Sequence, residues 1–265
     1  MKKNSWISII LTTHARPKYL VRAINSILSQ TFIDTQIIVC SDEGSAETKI
    51  VAAQLLREHD IFISVPYAVG PTETRNIGLG LAKSKYICFL DDDDSFDANY
   101  IFNIAHSNVL THNEIHFFNW KIINEKKNSI DECSLMNKSI QILKYPHYTR
   151  ANLICKNFIS NNSFVIDLNI ATKAVFDLHL GTHEDWDYLI NLSQNYELKY
   201  ADISGANVHK QTHSQSRNAE SNLLAHALDY YQIYRKWPAK NIDIIKRRLQ
   251  ILNEMGLNMP ESMLS

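Results

Sequence analysis

The sequence lacks the short motifs that identify several common enzyme classes. Its 265 residues contain no G-x-G-x-x-G after a strand pattern, no G-x-x-x-x-G-K-[ST] and no G-x-S-x-G. The first marks dinucleotide-binding oxidoreductases, the second P-loop nucleotidases and the third α/β-hydrolases. The missing motifs argue against all three classes.

The sequence also lacks a charge excess and a cysteine framework. Its 27 Lys and Arg residues balance 28 Asp and Glu residues, for a formal net charge of -1. This balance gives no electrostatic argument for nucleic acid as a partner. The four cysteines form no C-x-x-C pair, and Cys40 and Cys88 lie inside apolar runs. We interpret those two as core thiols in a reducing compartment.

Long hydrophobic runs are absent as well. The start "MKKNSWISIILTT" is basic, but its apolar run of about six residues is shorter than the hydrophobic region of a signal peptide. No other stretch approaches the roughly 20 apolar residues of a membrane span. We therefore expect a cytoplasmic protein.

Short apolar runs alternate with helical patterns over the first hundred residues. Four runs rich in Ile and Val predict buried strands, at 6–11, 36–40, 61–65 and 85–90. Helices are predicted from Pro17, over about 46–58, and from near Pro71 to Ala82. This alternation indicates an α/β fold with a mostly parallel sheet and helices on both faces.

The pattern is less regular after residue 100. Strands are predicted at 114–120 and 162–167, and a helix at 183–194. From residue 218 onward the chain reads as helical, with an interruption at Pro238. We expect one compact domain with a more variable second half.

Four consecutive aspartates, Asp91 to Asp94, stand in "CFLDDDDSF" directly after a predicted strand. In an extended backbone Asp91 and Asp93 share one face, and Asp92 faces the other way. Two carboxylates at a strand end suit a hard divalent cation such as Mg²⁺ or Mn²⁺, which fills its shell with water and substrate phosphates. The alternative is an acidic turn in which Asp94 caps the next helix.

Four short motifs follow one another over the first part of the chain. T-x-x-x-R-P and S-x-x-x-Q-T-F are formed by Thr12, Arg16, Pro17, Ser26, Gln30, Thr31 and Phe32, and "SDEGS" and "RNIGL" come after them. With these motifs the chain resembles, over roughly residues 5–97, glycosyltransferase family 2, a family of inverting enzymes. The family has the motifs in the same order and at similar spacing, with D-D-G-S where this chain has "SDEGS" and R-N-x-G-L where it has "RNIGL".

The resemblance implies a GT-A fold plus C-terminal helices. It places a glycosyltransferase domain at 1–217 and a helical extension at 218–265. Within the domain, about 5–100 would bind the nucleotide sugar and about 101–217 the acceptor. It also implies transfer of a sugar, with Mn²⁺ or Mg²⁺, from a UDP-sugar to a glycan or lipid-linked glycan in bacterial surface-polysaccharide assembly.

The resemblance further implies which residues bind the donor and the metal. The donor-binding set is Thr12, Thr13, His14, Arg16, Asp42 or Glu43, Arg75, Asp91 and Asp92. Counting from the strand favours Asp42 as the residue that bonds the uracil ring, whereas counting back from Gly44 favours Glu43. Asp93 would ligate the cation with help from Asp91. The alternatives with a purely structural role are a helix cap for Thr12 or Thr13 and a surface ion pair for Arg75.

A second acidic pair lies in "GTHEDWDYLI", about ninety residues after the aspartates. Acidic residues at a helix start are favoured by the helix dipole, so Glu184 and Asp185 need no further explanation. In the family, however, an E-D pair followed by an aromatic residue supplies the general base. The resemblance therefore assigns that role to Asp185, with Glu184 as the alternative or as a helper that orients the acceptor.

Two features near the C-terminus remain open. In "VHKQTHSQSRN" (208–218), His213 resembles a metal-binding histidine of a family loop that closes over the diphosphate, with His209 as second choice. A plain surface loop is the alternative. The amphipathic pattern at 241–256 is interpreted as a helix that packs on its own domain, or one that docks on an anionic membrane surface.

Trp120 and the stretch "SNNSF" (160–164) are expected on the acceptor side from their position alone.

A catalytically inactive nucleotide-sugar- or glycan-binding module on the same fold is the rival interpretation. The carboxylates retained at both acidic sites favour the enzyme.

Overall fold

The computed structural model describes residues 5–126, 139–180, 182–212 and 219–264. For residues 211–212 and 219–225 it describes the backbone only.

Strands and helices alternate in the first half, and strands dominate the middle. The strands are β1 (Ile7–Thr13), β2 (Thr35–Ser41), β3 (Ile61–Ser64), β4 (Tyr86–Asp91), β5 (Ser95–Phe96), β6 (Glu114–Lys126), β7 (Ser139–Leu143), β8 (Phe164–Asp167) and β9 (Glu197–Thr212). The helices are α1 (Pro17–Leu28), α2 (Ala46–Leu55), α3 (Gly70–Leu81), α4 (Tyr100–His106), α5 (Arg150–Leu153), α6 (Leu168–Ala171), α7 (Glu184–Leu192), α8 (Ala219–Lys236) and α9 (Ile242–Glu254).

One sheet joins all these strands in the order β3-β2-β1-β4-β8-β6-β9-β5, with β7 paired to β6. The strands β3, β2, β1 and β4 are parallel, β8 is antiparallel to both neighbours, and β9 is parallel to β6. The strand order reverses at β1, between β2 and β4. In sheets of this kind ligands bind at the carboxyl ends of the strands beside such a reversal.

The core has two layers, one on each face of the sheet. Alternate residues of β1 separate them, because Ile9 and Leu11 pack with α1 and α4 while Ile10 packs with α3, α7, α8 and α9. The prediction of a mostly parallel sheet with helices on both faces is confirmed. The C-terminal helices share the second layer with α7, since Tyr234 of α8 contacts Trp186 at 5.9 Å between ring centroids.

Gly78, the glycine of "RNIGL", allows α3 to lie directly on the sheet. A Cβ atom at this position would stand 2.4 Å from Cγ2 of Ile10 and 3.1 Å from Sγ of Cys40. These separations are shorter than van der Waals contact, so any side chain would push α3 away from β1. Gly78 thus sets the distance between the sheet and α3, the helix that carries Arg75.

The structure differs from the sequence-based expectation after residue 195. The strand β9 was not predicted, and Val208–Thr212, expected in a loop, form its last part beside β6. His213 and the rest of 213–218 lie outside the described residues. The sequence of β9 shows no clear strand pattern, because the pairing of β6 with β9 shifts register on both sides of Asn119.

The helix α9 packs on its own domain through Ile245, Arg248 and Leu252, which are buried. The Arg248 guanidinium lies 4.5 Å from the Tyr234 ring centroid and donates to the carbonyl oxygens of Ile154 and Trp237. In the part of the chain that is described, no helix combines the length and the apolar character needed to cross a membrane.

Candidate active site

Two clefts open at the carboxyl ends of the parallel strands. The first has a volume of about 420 Å³ and is lined by Thr12, Thr13, His14, Arg16, Asp42, Pro71, Thr74, Arg75, Asp91 and Asp93. The second, of about 370 Å³, is lined by Asp91, Asp93, Asp94, Trp120, Asn157, Phe158, Ile159, Ser160, Asn161, Asp185, Val208, His209 and Lys210. Asp91 and Asp93 belong to both linings, so the aspartate run forms the boundary between the clefts.

The fold brings most of the predicted donor residues into the first cleft. Thr12 and Thr13 end β1, and Asp91 ends β4, its neighbour in the sheet. Glu43, Asp92 and Glu184 line neither cleft. Trp120, Ser160 and Asn161, expected on the acceptor side, line the second.

Asp42 is held at the start of α3. Its Oδ1 accepts the backbone N–H groups of Val69 and Gly70, at 2.5 and 2.8 Å. Its Oδ2 lies 3.1 Å from Nδ1 of His14. The Asp42 side chain is 9% exposed, whereas the Glu43 side chain is 53% exposed. The structure therefore places Asp42, and not Glu43, at the wall of the first cleft.

Asp91 is the best compensated carboxylate of the run. Its Oδ1 accepts from Arg75 at 2.7 Å and from the Thr12 hydroxyl at 2.9 Å. Burial works to raise the pKa of Asp91, but the Arg75 guanidinium outweighs it, and the pKa falls below its usual value. Asp91 is therefore ionised at neutral pH. Its Oδ2 lies 3.5 Å from the Asn161 amide nitrogen.

Asp92 lines neither cleft and has a structural role. It is fully buried, accepts from the Thr13 hydroxyl at 2.6 Å and from Nε of Arg16 at 3.2 Å, and so ties the end of β4 to β1. Burial raises the pKa of Asp92 to about 6. Any effect of Asp92 on a donor passes through Thr13 and Arg16, because the carboxylate itself is enclosed.

Asp93 is the outermost aspartate, with 41% of its side chain exposed. Its Oδ2 accepts from Arg16 at 3.0 Å, and its backbone carbonyl accepts from Arg22. Asp93 lines both clefts, as Asp91 does. Carboxylate oxygens are hard donors of the kind that Mg²⁺ and Mn²⁺ bind, so the chemistry of these two residues fits such an ion.

Asp94 is a site residue that sequence reasoning missed. It was interpreted only as a helix cap, but it lines the second cleft and is buried, accepting from the Asn162 amide at 3.1 Å and the His209 backbone N–H at 3.2 Å. Burial, followed by the charges of Asp91 and Asp93, raises the pKa of Asp94 well above its usual value. Its place in an unbroken aspartate run was the only signal in the sequence.

His209, the second choice for a metal ligand, has both ring nitrogens engaged. Nε2 lies 2.8 Å from the Ser95 hydroxyl, and Nδ1 lies 2.8 Å from Oε1 of Glu125. A metal ion would have to displace one of these contacts, so His209 is held as part of the wall.

Arg75 connects the aspartate run to the second acidic pair. It is 5% exposed and pairs with Asp91 through one terminal nitrogen and with Glu184 through the other. Burial works to lower the pKa of Arg75, but Asp91 and Glu184 raise it, so the guanidinium stays charged. Arg75 thus joins β4 to the first turn of α7.

Asp185 faces the second cleft while its neighbour Glu184 is turned toward Arg75. Oδ1 of Asp185 accepts the Trp186 backbone N–H at 2.7 Å, and Oδ2 accepts from the Asn157 amide at 3.2 Å. Burial, reinforced by the Glu184 charge, raises the pKa of Asp185 to about 7. A carboxylate with a pKa near neutrality that lines a cleft is suited to accept a proton.

The sequence model of the family described as Glycosyl transferase family 2 matches residues 8–161. The chain is similar to the GalNAc(5)-diNAcBac-PP-undecaprenol beta-1,3-glucosyltransferase of Campylobacter jejuni, with 40% identity over 91 residues, which is 33% of this chain and 29% of that protein. The matched stretch therefore spans less than a third of that relative's length.

Two solved structures have the same fold. Staphylococcus aureus TarS 1-349 in complex with UDP superposes with a TM-score of 0.63 and 16% identity, over 94% of this chain and 71% of that chain. The mannosyltransferase PcManGT from Pyrobaculum calidifontis, in complex with GDP-Man and Mn²⁺, gives 0.62 and 10% identity, over 99% and 73%. The prediction of a GT-A fold is confirmed.

Proposed function

The chain belongs to glycosyltransferase family 2, and on that premise we propose that it transfers a sugar from a UDP-sugar to a hydroxyl group of a glycan acceptor. The observation that carries the proposal is the pair of clefts that meet at Asp91 and Asp93, with Asp185 in the second. A donor in the first cleft would present its anomeric carbon at this boundary. An acceptor in the second would reach it from the side of Asp185.

The first cleft supports a nucleotide. Asp42 is fixed by the backbone of Val69 and Gly70 and has the acceptor oxygens that a uracil N–H requires. Thr12 and Arg75 line the same cleft and bind Asp91, and a ribose and a diphosphate would follow the base toward them. All residues that line this cleft come from the first hundred, which supports the proposal of a donor-binding half at about 5–100.

A divalent cation at the cleft boundary is part of the proposal. Asp93 Oδ1 and Asp91 Oδ2 would hold it, and the Mn²⁺ of PcManGT makes Mn²⁺ or Mg²⁺ the natural choice. When bound, it supplies Lewis-acid stabilisation of the diphosphate that leaves. Arg16 and Arg75 position the two carboxylates for this purpose, because each binds one oxygen and leaves the other.

Asp185 is assigned as the general base. A sugar hydroxyl is a poor nucleophile at neutral pH, so its proton must be removed as it attacks the anomeric carbon. Asp185 is held in place by Asn157 and by the Trp186 backbone, so it is directed into the cleft before substrate arrives. Attack opposite the leaving UDP gives a single displacement with inversion and no covalent glycosyl-enzyme. Glu184 takes the helper role through Arg75.

The acceptor is proposed to be a lipid-linked glycan of bacterial surface-polysaccharide assembly. The C. jejuni relative is named for an undecaprenol-linked acceptor, which supports this class. A lipid-linked acceptor would bring the protein to the membrane as a peripheral enzyme. The second cleft has both aromatic and amide walls, Trp120, Phe158 and Asn161 among them, as sugar binding requires.

The test is transfer and donor hydrolysis with UDP-glucose, UDP-galactose and UDP-N-acetylglucosamine, each with Mn²⁺ or Mg²⁺. We expect metal-dependent UDP release that rises when an undecaprenyl-diphosphate glycan is added. Asp93→Ala should abolish both turnover and the metal-enhanced part of UDP binding. The exposed Asp243→Ala in the first turn of α9 is the matched control and should change neither. Metal-enhanced UDP-sugar binding without hydrolysis or transfer would instead support the inactive binding module, and equal UDP binding by Asp93→Ala would refute the metal assignment.

A further inference from the structure

A second group of metal-ligating side chains lies at the contact between α7 and α8, outside both clefts. His183 precedes α7, while His226 and Asp229 are one turn apart on α8. One potential ligand atom from each of the three residues lies within 4.8 Å of the other two. Around a tetrahedral Zn²⁺ with bonds of 2.0–2.2 Å, ligand atoms stand about 3.4 Å apart. Closing the group around an ion therefore shortens each separation between ligand atoms by at most about 1.4 Å.

The backbone holds His183 in an uncommon conformation. Its φ is 62°, in the left-handed region that side chains other than glycine rarely adopt. This conformation directs the imidazole at α8, where its ring lies 5.5 Å from that of His226 and 5.1 Å from Tyr230 between centroids. Tyr230 packs in turn on Trp186, in the first turn of α7, at 4.6 Å between ring centroids.

The Thr182 hydroxyl connects two of the three residues. It lies 2.7 Å from Nδ1 of His183 and donates to Oδ2 of Asp229 at 2.5 Å. Hydrogen bonds of this kind orient histidine and carboxylate ligands in metal sites. Burial and the neighbouring His226 lower the pKa of His183, which favours the neutral imidazole that binds metals.

From this geometry we propose that His183, His226 and Asp229 form a transition-metal site of the zinc type, which fastens α8 to the start of α7. Two imidazoles and one carboxylate are a ligand set of zinc sites, with a fourth position for water. The set is softer than the aspartate pair at the cleft boundary, so the two sites select different ions. The proposal does not depend on the transfer reaction.

The test is Zn²⁺ binding by the full chain after chelator treatment, measured by calorimetry in excess Mg²⁺, which occupies the carboxylate site. We expect one Zn²⁺ per chain and a higher thermal midpoint in its presence. His226→Gln and Asp229→Asn should each weaken binding at least about tenfold and remove the shift in midpoint. Co²⁺ in place of Zn²⁺ adds a visible absorption band, whose loss in His226→Gln reports the imidazole ligand.

The matched control is His179→Gln. His179 is exposed and lies 3.0 Å from Asp177, so it forms a histidine–aspartate pair of the same kind outside the proposed site. This variant should bind Zn²⁺ as the parent does. Because only the zinc-induced shift is compared, a lower starting stability of a variant does not affect the result. No zinc binding by the parent, or equal binding by parent and His226→Gln, would overturn the proposal and leave the three residues as an ordinary helix contact.

Discussion

Replacing Asp185 with Asn removes the proposed base with little change in shape. The Asn side chain keeps an oxygen for the Trp186 N–H, although its amide then meets the Asn157 amide, so a small loss of stability is expected. A positioned base typically contributes about 10²- to 10⁴-fold in rate. That range corresponds to roughly 3–5 kcal/mol of transition-state stabilisation at 1.36 kcal/mol per factor of ten.

The pH dependence gives a second and sharper measure of the same prediction. A carboxyl whose pKa is about 7 is about one tenth ionised at pH 6 and about nine tenths at pH 8. Only the ionised form accepts a proton, so kcat/KM should rise with pH and level off above about 8. With Mg²⁺ as the only divalent cation, the Asp185→Asn variant should lose this rise together with its turnover.

Glu184→Gln is the matched variant, since it neutralises the adjacent carboxylate and keeps its size. The Glu184 charge raises the pKa of Asp185, while Arg75 lowers it. Removing the Glu184 charge also leaves Arg75 less compensated, so both effects move the midpoint of the kcat/KM profile to lower pH. The assay is UDP release from the donor with acceptor present, across pH 5.5 to 8.5, which spans about one and a half units on either side of a midpoint of about 7.

Three results would refute the reasoning about Asp185. Near-parental turnover of Asp185→Asn would exclude Asp185 as the base. A kcat/KM profile that moves to higher pH in Glu184→Gln would show that the Glu184 charge does not raise the pKa of Asp185. A product with retained anomeric configuration would exclude single displacement.

The remaining predictions concern stability and are measured by denaturant unfolding. Gly78→Ala should destabilise the protein by about 1–3 kcal/mol, because the new methyl group overlaps Ile10, whereas Gly80→Ala on the same helix meets nothing within 4 Å and should stabilise it by about 0.5–1 kcal/mol. Equal effects of the two substitutions would contradict the packing argument. Arg75→Met should cost about 3–5 kcal/mol, because it leaves the buried Glu184 and the half-buried Asp91 without their cation, and adding Glu184→Gln should restore part of the loss. A loss below about 1 kcal/mol, or no recovery in the double variant, would show that the ion pairs are not what Arg75 contributes.

The donor half could be predicted from the sequence because its information is local. The strands β1, β2 and β4 are continuous apolar runs, and the residues that follow each strand must lie at the same edge of a parallel sheet. Thr12 and Asp91, 79 residues apart, are therefore expected to meet, and their hydrogen bond is 2.9 Å long. The positions of these side chains follow from where the strands end.

The acceptor half could not be predicted in the same way because its strands carry mixed patterns. The strand β9 contains charged residues, a glycine and a register shift opposite Asn119, so neither period of two nor an apolar run is visible. The contact of Arg75 with Glu184 joins residues 109 positions apart and depends on how α7 docks on the sheet. Packing of this kind is determined by the whole core, and no sequence motif predicts it.

Four adjacent aspartates are tolerated because each carboxylate has a different environment. Asp91 shares Oδ1 with Arg75, Asp92 is enclosed by Thr13 and an arginine, Asp93 reaches solvent, and Asp94 accepts from an amide and a backbone N–H. The backbone is not extended here: β4 ends at Asp91, and Asp92 and Asp93 lie in a turn closed by a 3.0 Å hydrogen bond from the Asp94 N–H to the Asp91 carbonyl oxygen. The strand-like alternation expected for Asp91, Asp92 and Asp93 is therefore wrong beyond the first aspartate. The charge of Arg75 extends the network from Asp91 to the helix that carries the proposed base. Charge changes in the donor cleft and at the base are therefore coupled through one buried guanidinium.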